Sequence, residues 1–281
     1  MTVTTLSEHA CFDGVVRFLE HQSSELGVGA KLGVFLPQEA LSGKVVPVIH
    51  VLAGLTANYE TFLIKSNIIR FAAQHGIGVV APDTSPRNTG IEGEDKDYDL
   101  GSGAGFYVDA TAEPWSKHYR MESYVGKELP LLTESLFPFD ATRRGIIGHS
   151  MGGMGALIQA LRYPERWKTV SVFAPICAPS RIPWGKKAFD AYFGGDLQKW
   201  EEYDPTILLE NGYKPPSTIL LDQGLKDQYL ADLKPDALVA AAQQTGQRLQ
   251  VRTHEAYDHG YWFIQSFIHD HIEHHVKGLK G

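Results

Sequence analysis

Arg144-Gly145-Ile146-Ile147-Gly148-His149-Ser150-Met151-Gly152-Gly153-Met154-Gly155-Ala156-Leu157 is the passage that decides the fold. An apolar run enters Gly148-His149-Ser150-Met151-Gly152, and a helix-like stretch of small and apolar residues leaves it. Gly-x-Ser-x-Gly between a strand and a helix is the signature of a nucleophile elbow, a turn so tight that the positions two before and two after the serine must be small. The turn lifts the serine Oγ to the carboxyl edge of a sheet, beside a helix N-terminus whose amides favour developing negative charge. The pentapeptide alone is weak evidence, because a Gly-rich turn with an N-capping serine would look the same. The strand before it, the helix after it and the further small residues turn the reading toward Ser150 as a nucleophile.

The rest of the chain fits a sheet of that kind. Val45–Leu52, Ile77–Ala81, Gly145–Gly148, Thr169–Phe173 and Thr218–Asp222 are uninterrupted apolar runs, the pattern of parallel strands covered on both faces. Leu249–His254 reads as one more strand, and Val15–Glu20 and Leu32–Leu36 read as an early antiparallel pair. Helices are expected at Thr61–His75, Met121–Phe137, Gly152–Tyr163, Pro235–Gln244 and Tyr261–Lys277, with Gly76 closing the first. Strand and helix alternate, so the expected architecture is an α/β-hydrolase fold: a mostly parallel central sheet with helices on both faces, in a single domain over residues 1–281. Two stretches break the alternation, 83–116 and 174–213, and these read as long loop insertions at the rim of a site.

Composition narrows the function. The 281 residues are 43% hydrophobic and 21% charged with a formal net charge of −7, which gives no basis for attraction to nucleic acid or anionic membrane. Two cysteines, Cys11 and Cys177, make no disulfide framework and suit a reducing cytoplasm. The N-terminal stretch lacks a signal-peptide pattern, and no apolar run reaches the roughly 18 residues a membrane span requires.

A serine hydroxyl needs an imidazole to take its proton and a carboxylate to hold that imidazole in the right tautomer. On this fold the order is Ser, then Asp or Glu, then His. His254 falls inside a strand. His269, His271, His274 and His275 fall on the last helix without a zinc-type pattern around them, and they read as a solvated polar face. His259 lies in the turn Ala256-Tyr257-Asp258-His259-Gly260 between the last strand and helix, which is where the base reaches back over the sheet edge. Thr218–Gln228 offers two acids. Asp222 ends a strand and could merely cap a turn, so Asp227, in the loop beyond Gly224, is preferred; Asp258 adjoins the histidine too closely to aim at it. The oxyanion donors are expected to be the backbone N–H groups of Met151 and, on the loop after Val45–Leu52, of Leu55 beside Gly54.

Beyond these residues, longer passages carry a resemblance: Ala81–Arg87, Gly103–Thr111, Tyr119-Arg120-Met121, Gly148–Gly153, Phe173–Cys177, Pro183–Phe189 and Tyr257-Asp258-His259. Over nearly its whole length the chain resembles the S-formylglutathione hydrolase (esterase D) family. The resemblance implies hydrolysis of S-formylglutathione to glutathione and formate, with activity on small esters. It places the triad on Ser150, Asp227 and His259 and the oxyanion amides on Leu55 and Met151. No metal or organic cofactor is expected, and a homodimer is. Trp184 is the expected wall of the acyl pocket, and Lys186, with Lys65, Arg181 and Lys187, the expected partner of glutathione's carboxylates. The chain departs from the family pattern at Ala57, where a cysteine is common, at Asn58 for threonine, at Met154 for histidine and at Gly260 for serine. The rival expectations are a generalist short-chain carboxylesterase with the same triad, and a non-catalytic binding protein of the same fold.

Overall fold

Residues 46–52 and 169–173 are buried at every position, because helices cover both faces of the sheet to which they belong. That sheet dominates the computed structural model, which describes residues 3–215 and 217–280. Its strands are β1 (Val3–Cys11), β2 (Gly14–Gln22), β3 (Gly29–Leu36), β4 (Val46–Leu52), β5 (Gly78–Pro82), β6 (Phe139–His149), β7 (Thr169–Phe173), β8 (Ile219–Gly224) and β9 (Leu249–His254). They lie in the order β1-β2-β3-β5-β4-β6-β7-β8-β9. The first three pair antiparallel, β3 runs antiparallel to β5, and every pair from β5 to β9 is parallel. The carboxyl ends of β4, β5, β6, β8 and β9 therefore gather at one edge, where an α/β sheet binds its ligands.

Among the described residues, six helices of seven residues or more accompany the sheet: α1 (Ile68–Gln74), α2 (Leu129–Leu136), α3 (Met151–Arg162), α4 (Pro183–Phe193), α5 (Pro235–Thr245) and α6 (Tyr261–Lys280). This is the α/β-hydrolase architecture that the residue pattern predicts. Three details differ from the sequence reading. β1 is largely exposed and its apolar residues, Val3, Leu6, Ala10 and Cys11, do not alternate along the strand, so its pairing with β2 left no periodic signal. The helix expected over 61–75 is two, Thr61–Lys65 and α1. Ser66 Oγ donates to the Phe62 carbonyl at 2.5 Å and accepts the Ile68 N–H at 3.2 Å, and Asn67 turns left-handed at φ 64°, which breaks the ladder. Finally, the insertion at 174–213 is largely helical: α4 is followed by Leu197–Glu202 and Pro205–Glu210, each capped by an aspartate, Asp196 and Asp204.

The last helix corrects a further expectation. His269 stays on an exposed face, but His271 and His275 are fully buried. They share the inner stripe of α6 with Ile264, Ile268 and Leu279. His271 Nδ1 lies 2.8 Å from Ser171 Oγ, and His275 bridges Thr169 Oγ1 at 2.5 Å and Ser171 Oγ at 2.9 Å. His274 Nε2 meets the Val170 carbonyl at 3.1 Å. The cause is spacing: positions three and four apart lie on one helix face, so a histidine placed at 271 or 275 follows the isoleucines inward.

Candidate active site

The elbow is built by what its glycines leave out. A Cβ at Gly148 would stand 2.0 Å from the Gly152 carbonyl oxygen, and one at Gly152 would stand 2.1 Å from the Leu52 carbonyl oxygen. Between them Ser150 holds φ 58° and ψ −120°, outside the regions a side-chain-bearing residue prefers. The surroundings fix that conformation. Its N–H donates to the Phe173 carbonyl at 3.0 Å, and its carbonyl accepts the amides of Met154 at 3.1 Å and Ile176 at 3.2 Å. Strand β6 thus stops at His149, α3 starts at Met151, and the serine side chain projects between them.

The turns after β8 and β9 bring Asp227 and His259 together. His259 Nδ1 is 2.7 Å from Asp227 Oδ2. That oxygen also accepts Gln223 Nε2–H at 3.0 Å, and Oδ1 accepts the Tyr229 N–H at 2.8 Å. Burial opposes ionisation of Asp227, but the hydrogen bond and charge of His259 and the two amide donors bring its pKa below the ordinary value. An ionised Asp227 keeps the ring proton on Nδ1 and leaves the Nε2 lone pair free, the tautomer required of a base. The two competing acids lie elsewhere. Asp222 is fully buried and held by Arg252 Nε at 2.7 Å and Nη2 at 2.6 Å. Asp258 accepts the Gly260 N–H at 2.8 Å.

The loop after β4 is clamped close to the serine. A Cβ at Gly54 would come within 3.1 Å of the Ser150 Cβ. Thr56, at φ 65°, donates its N–H to Gly103 at 2.9 Å, and the Ala57 carbonyl accepts Thr84 Oγ1 at 2.6 Å and Arg87 Nη2 at 3.0 Å. Among the described residues the Leu55 amide has no acceptor. Met151 is the first residue of α3, where a helix amide has no partner within the helix. The chain therefore holds two free N–H groups beside Ser150.

Ser150 and His259 line one cavity of about 230 Å³. Its lining is largely aromatic, from Tyr98, Trp184, Tyr229 and Tyr261, with Leu55 and Ala57 beside them. Trp184 packs edge-on against Tyr229 at 5.0 Å and donates Nε1–H to Tyr98 Oη at 3.3 Å. Lys186 lies outside, exposed on α4. Arg181 is paired with Glu210, and Lys187 with Asp97 and Asp99. Met154 is fully buried beneath the elbow, so its departure from the family pattern changes packing and not the cavity wall.

His149 is a site residue the sequence reading passed over. It lines the cavity, its ring centroid is 4.6 Å from that of His259, and its Nε2 is 3.1 Å from the His259 carbonyl oxygen. Burial, with the neighbouring His259 charge, holds its pKa well below the ordinary histidine value. Neutral, with the proton on Nε2, it donates to that carbonyl. Its place inside the pentapeptide was the signal for it. Tyr98 and Tyr229 left no signal, because only the fold brings them over the serine. Among the described residues, no group of three or more His, Cys, Asp or Glu side chains is arranged to hold a metal ion.

Comparison with known proteins shows the family. The esterase family model matches residues 23–274. The chain is 48% identical over 283 residues to the S-formylglutathione hydrolase of Bos taurus, with the whole of both chains covered. It is 48% identical over 276 residues to that of Paracoccus denitrificans, covering 98% of each. The solved structure of an S-formylglutathione hydrolase from Agrobacterium tumefaciens superposes with a TM-score of 0.95 at 41% identity, covering 99% of this chain and 100% of the other. The chain belongs to the esterase family and, within it, to the S-formylglutathione hydrolases.

Proposed function

We propose that this chain hydrolyses S-formylglutathione to glutathione and formate through Ser150, His259 and Asp227. The observation that carries the reading is the 2.7 Å contact of His259 with Asp227, made in the turn that lines the same cavity as the strained Ser150. Ser150 Oγ attacks the thioester carbonyl while His259 Nε2 takes the hydroxyl proton, and Asp227 stabilises the resulting imidazolium. The oxyanion is met by the amides of Leu55 and Met151; one such donor is typically worth about 10²–10³ in rate. The C–S bond then breaks, and glutathione leaves with the proton from His259. Water, deprotonated by the same imidazole, attacks the formyl ester on Ser150, and formate departs.

Size supports a small acyl group. The cavity of about 230 Å³ is below the roughly 300–1,000 Å³ of pockets that enclose drug-sized ligands. Its aromatic walls also favour a second reading, a generalist esterase acting on small aryl esters. Measurement of kcat/KM for S-formylglutathione, S-lactoylglutathione and a short aryl ester separates the two. The proposed function requires the formyl thioester to lead the aryl ester by about tenfold or more, and the opposite preference overturns it.

No helix among the described residues is long and apolar enough to cross a membrane. Both cysteines are free thiols, which supports a reducing, cytoplasmic setting. A homodimer is part of the same proposal, and sedimentation analysis tests it.

A further inference from the structure

The nucleophile's cavity is nearly devoid of charge, yet a glutathione thioester brings two carboxylates and an ammonium group. A second cavity, of about 400 Å³, adjoins the first and shares Thr56 with it. It lies at the same carboxyl edge of the sheet, beyond β5, and its wall is polar and charged: Glu20, Lys31, Asn58, Asp83 and Arg87. Glu20 and Lys31 are directly paired across β2 and β3. They do not bond to each other. The Glu20 carboxylate leans along the strand, with Oε1 3.4 Å from the place a Cβ on Gly29 would take, and Lys31 makes no ion pair among the described residues. An unpaired cation and an unpaired anion thus stand side by side on one wall.

Arg87 supplies a further cation in a fixed position. Its Nε and Nη2 bind Asp83 at 2.8–3.1 Å, and Nη2 also holds the Ala57 carbonyl; Nη1 has no hydrogen-bond partner among the described residues, and the side chain lines the cavity. Because Ala57 closes the oxyanion loop, this guanidinium is only two residues from Leu55.

We propose that the second cavity receives the peptide portion of the thioester, with Lys31 and Glu20 meeting the γ-glutamyl carboxylate and ammonium and Arg87 meeting the glycyl carboxylate. The inference rests on the glutathione thioester reading of the first cavity. The γ-glutamyl end carries opposite charges on one carbon, which is the pattern Glu20 and Lys31 present. The substrate then passes over Thr56, with its sulfur at Ser150 and its charged ends beyond the loop.

The test is the ratio of kcat/KM for S-formylglutathione to that for p-nitrophenyl acetate, an uncharged ester too small to reach the second cavity. Lys31→Glu lowers the ratio by about tenfold or more, the range expected for loss of a charged hydrogen-bond partner, through KM rather than kcat. Lys31→Arg restores most of it, and Glu20→Gln lowers it by a smaller factor. Lys44→Glu, at the opposite edge of the sheet, controls for the general field of the protein. An unchanged ratio in Lys31→Glu overturns the subsite, as does an equal fall in Lys44→Glu. Failure of the unaltered enzyme to cleave S-formylglutathione while it cleaves the aryl ester overturns the functional reading itself, so the two failures are distinct.

Discussion

Two sets of serine, histidine and aspartate stand out among the described residues: one lines a cavity and the other is buried. Ser150 and His259 line one cavity at the carboxyl edge of the sheet, and Asp227 lies 2.7 Å from His259. Ser171, His271 and Asp222 meet in the layer between β7, β8 and α6: Ser171 Oγ is 2.8 Å from His271 Nδ1, and His271 Nε2 is 3.5 Å from Asp222 Oδ2. All three members of the second set are buried completely. The residue types are the same, and what differs is everything around them. Ser171 lies within a regular strand and shares its hydroxyl with His275. Ser150 stands on a strained turn between two unpaired amides. Three side chains in contact do not make a nucleophile; access, backbone geometry and oxyanion donors do.

The sharpest way to break this comparison is to remove each serine in turn. Ser150→Ala removes the proposed attacking atom and lowers kcat by about 10⁶, with the fold intact by circular dichroism. Ser171→Ala leaves kcat/KM for a small ester near its starting value. It instead costs about 1–3 kcal/mol of stability in urea unfolding, because two buried imidazoles lose a shared hydroxyl. A large loss of kcat in Ser171→Ala without loss of stability would mean the inner set takes part in the chemistry.

The two aspartates extend the test. Asp227→Asn frees His259 to take the wrong tautomer and lowers kcat by about 10⁴, while stability changes little. Asp222→Asn leaves Arg252 and His271 facing a neutral amide. Removing one member of a buried pair costs about 3–5 kcal/mol, and the partial exposure of Arg252 places this loss at the low end. Similar kinetic effects from the two variants would erase the distinction between catalytic and structural acid.

How far each set could be read from the sequence follows the same division. The outer set was legible because each member sits beside a local marker: glycines around Ser150, the turn Tyr257-Asp258-His259-Gly260 after a strand, and the loop beyond Gly224 for Asp227. The inner set left markers that point the wrong way. His271 and His275 read as polar, and a polar helix face is ordinarily solvated. Their burial is decided by phase, since they follow Ile264 and Ile268 at helical spacing, and by hydroxyl partners on β7 that lie about a hundred residues away. Asp222 was ambiguous for a related reason. The strand end at which it sits is common to capping and catalytic acids, and Arg252, which claims it, is on the neighbouring strand. The second cavity was equally out of reach, because Glu20, Lys31 and Arg87 meet only when β3 pairs with β5.

The smallest expected effect separates the sets by pH. Burial, with the charges of His274 and His271, holds His275 well below its ordinary value of 6.5, and burial followed by the charge of His271 brings His274 to about 4. Lowered histidine pKa values mean that the unfolded chain binds protons first as pH falls. Their contribution to stability is therefore whole above 6.5 and is lost progressively toward pH 4. Asp222 acts later. Burial opposes its ionisation, but the His271 ring and the Arg252 fork outweigh it and bring its pKa to about 2, so its contribution is lost only between its ordinary value of 3.8 and 2. Urea unfolding at pH 7, 6 and 5 should thus show falling stability well before Asp222 titrates. His275→Gln removes one of the responsible groups, and its stability should fall with pH less steeply by up to one proton, about 1.4 kcal/mol per pH unit. Parallel slopes in the two proteins would show that the inner histidines are not what acid attacks first.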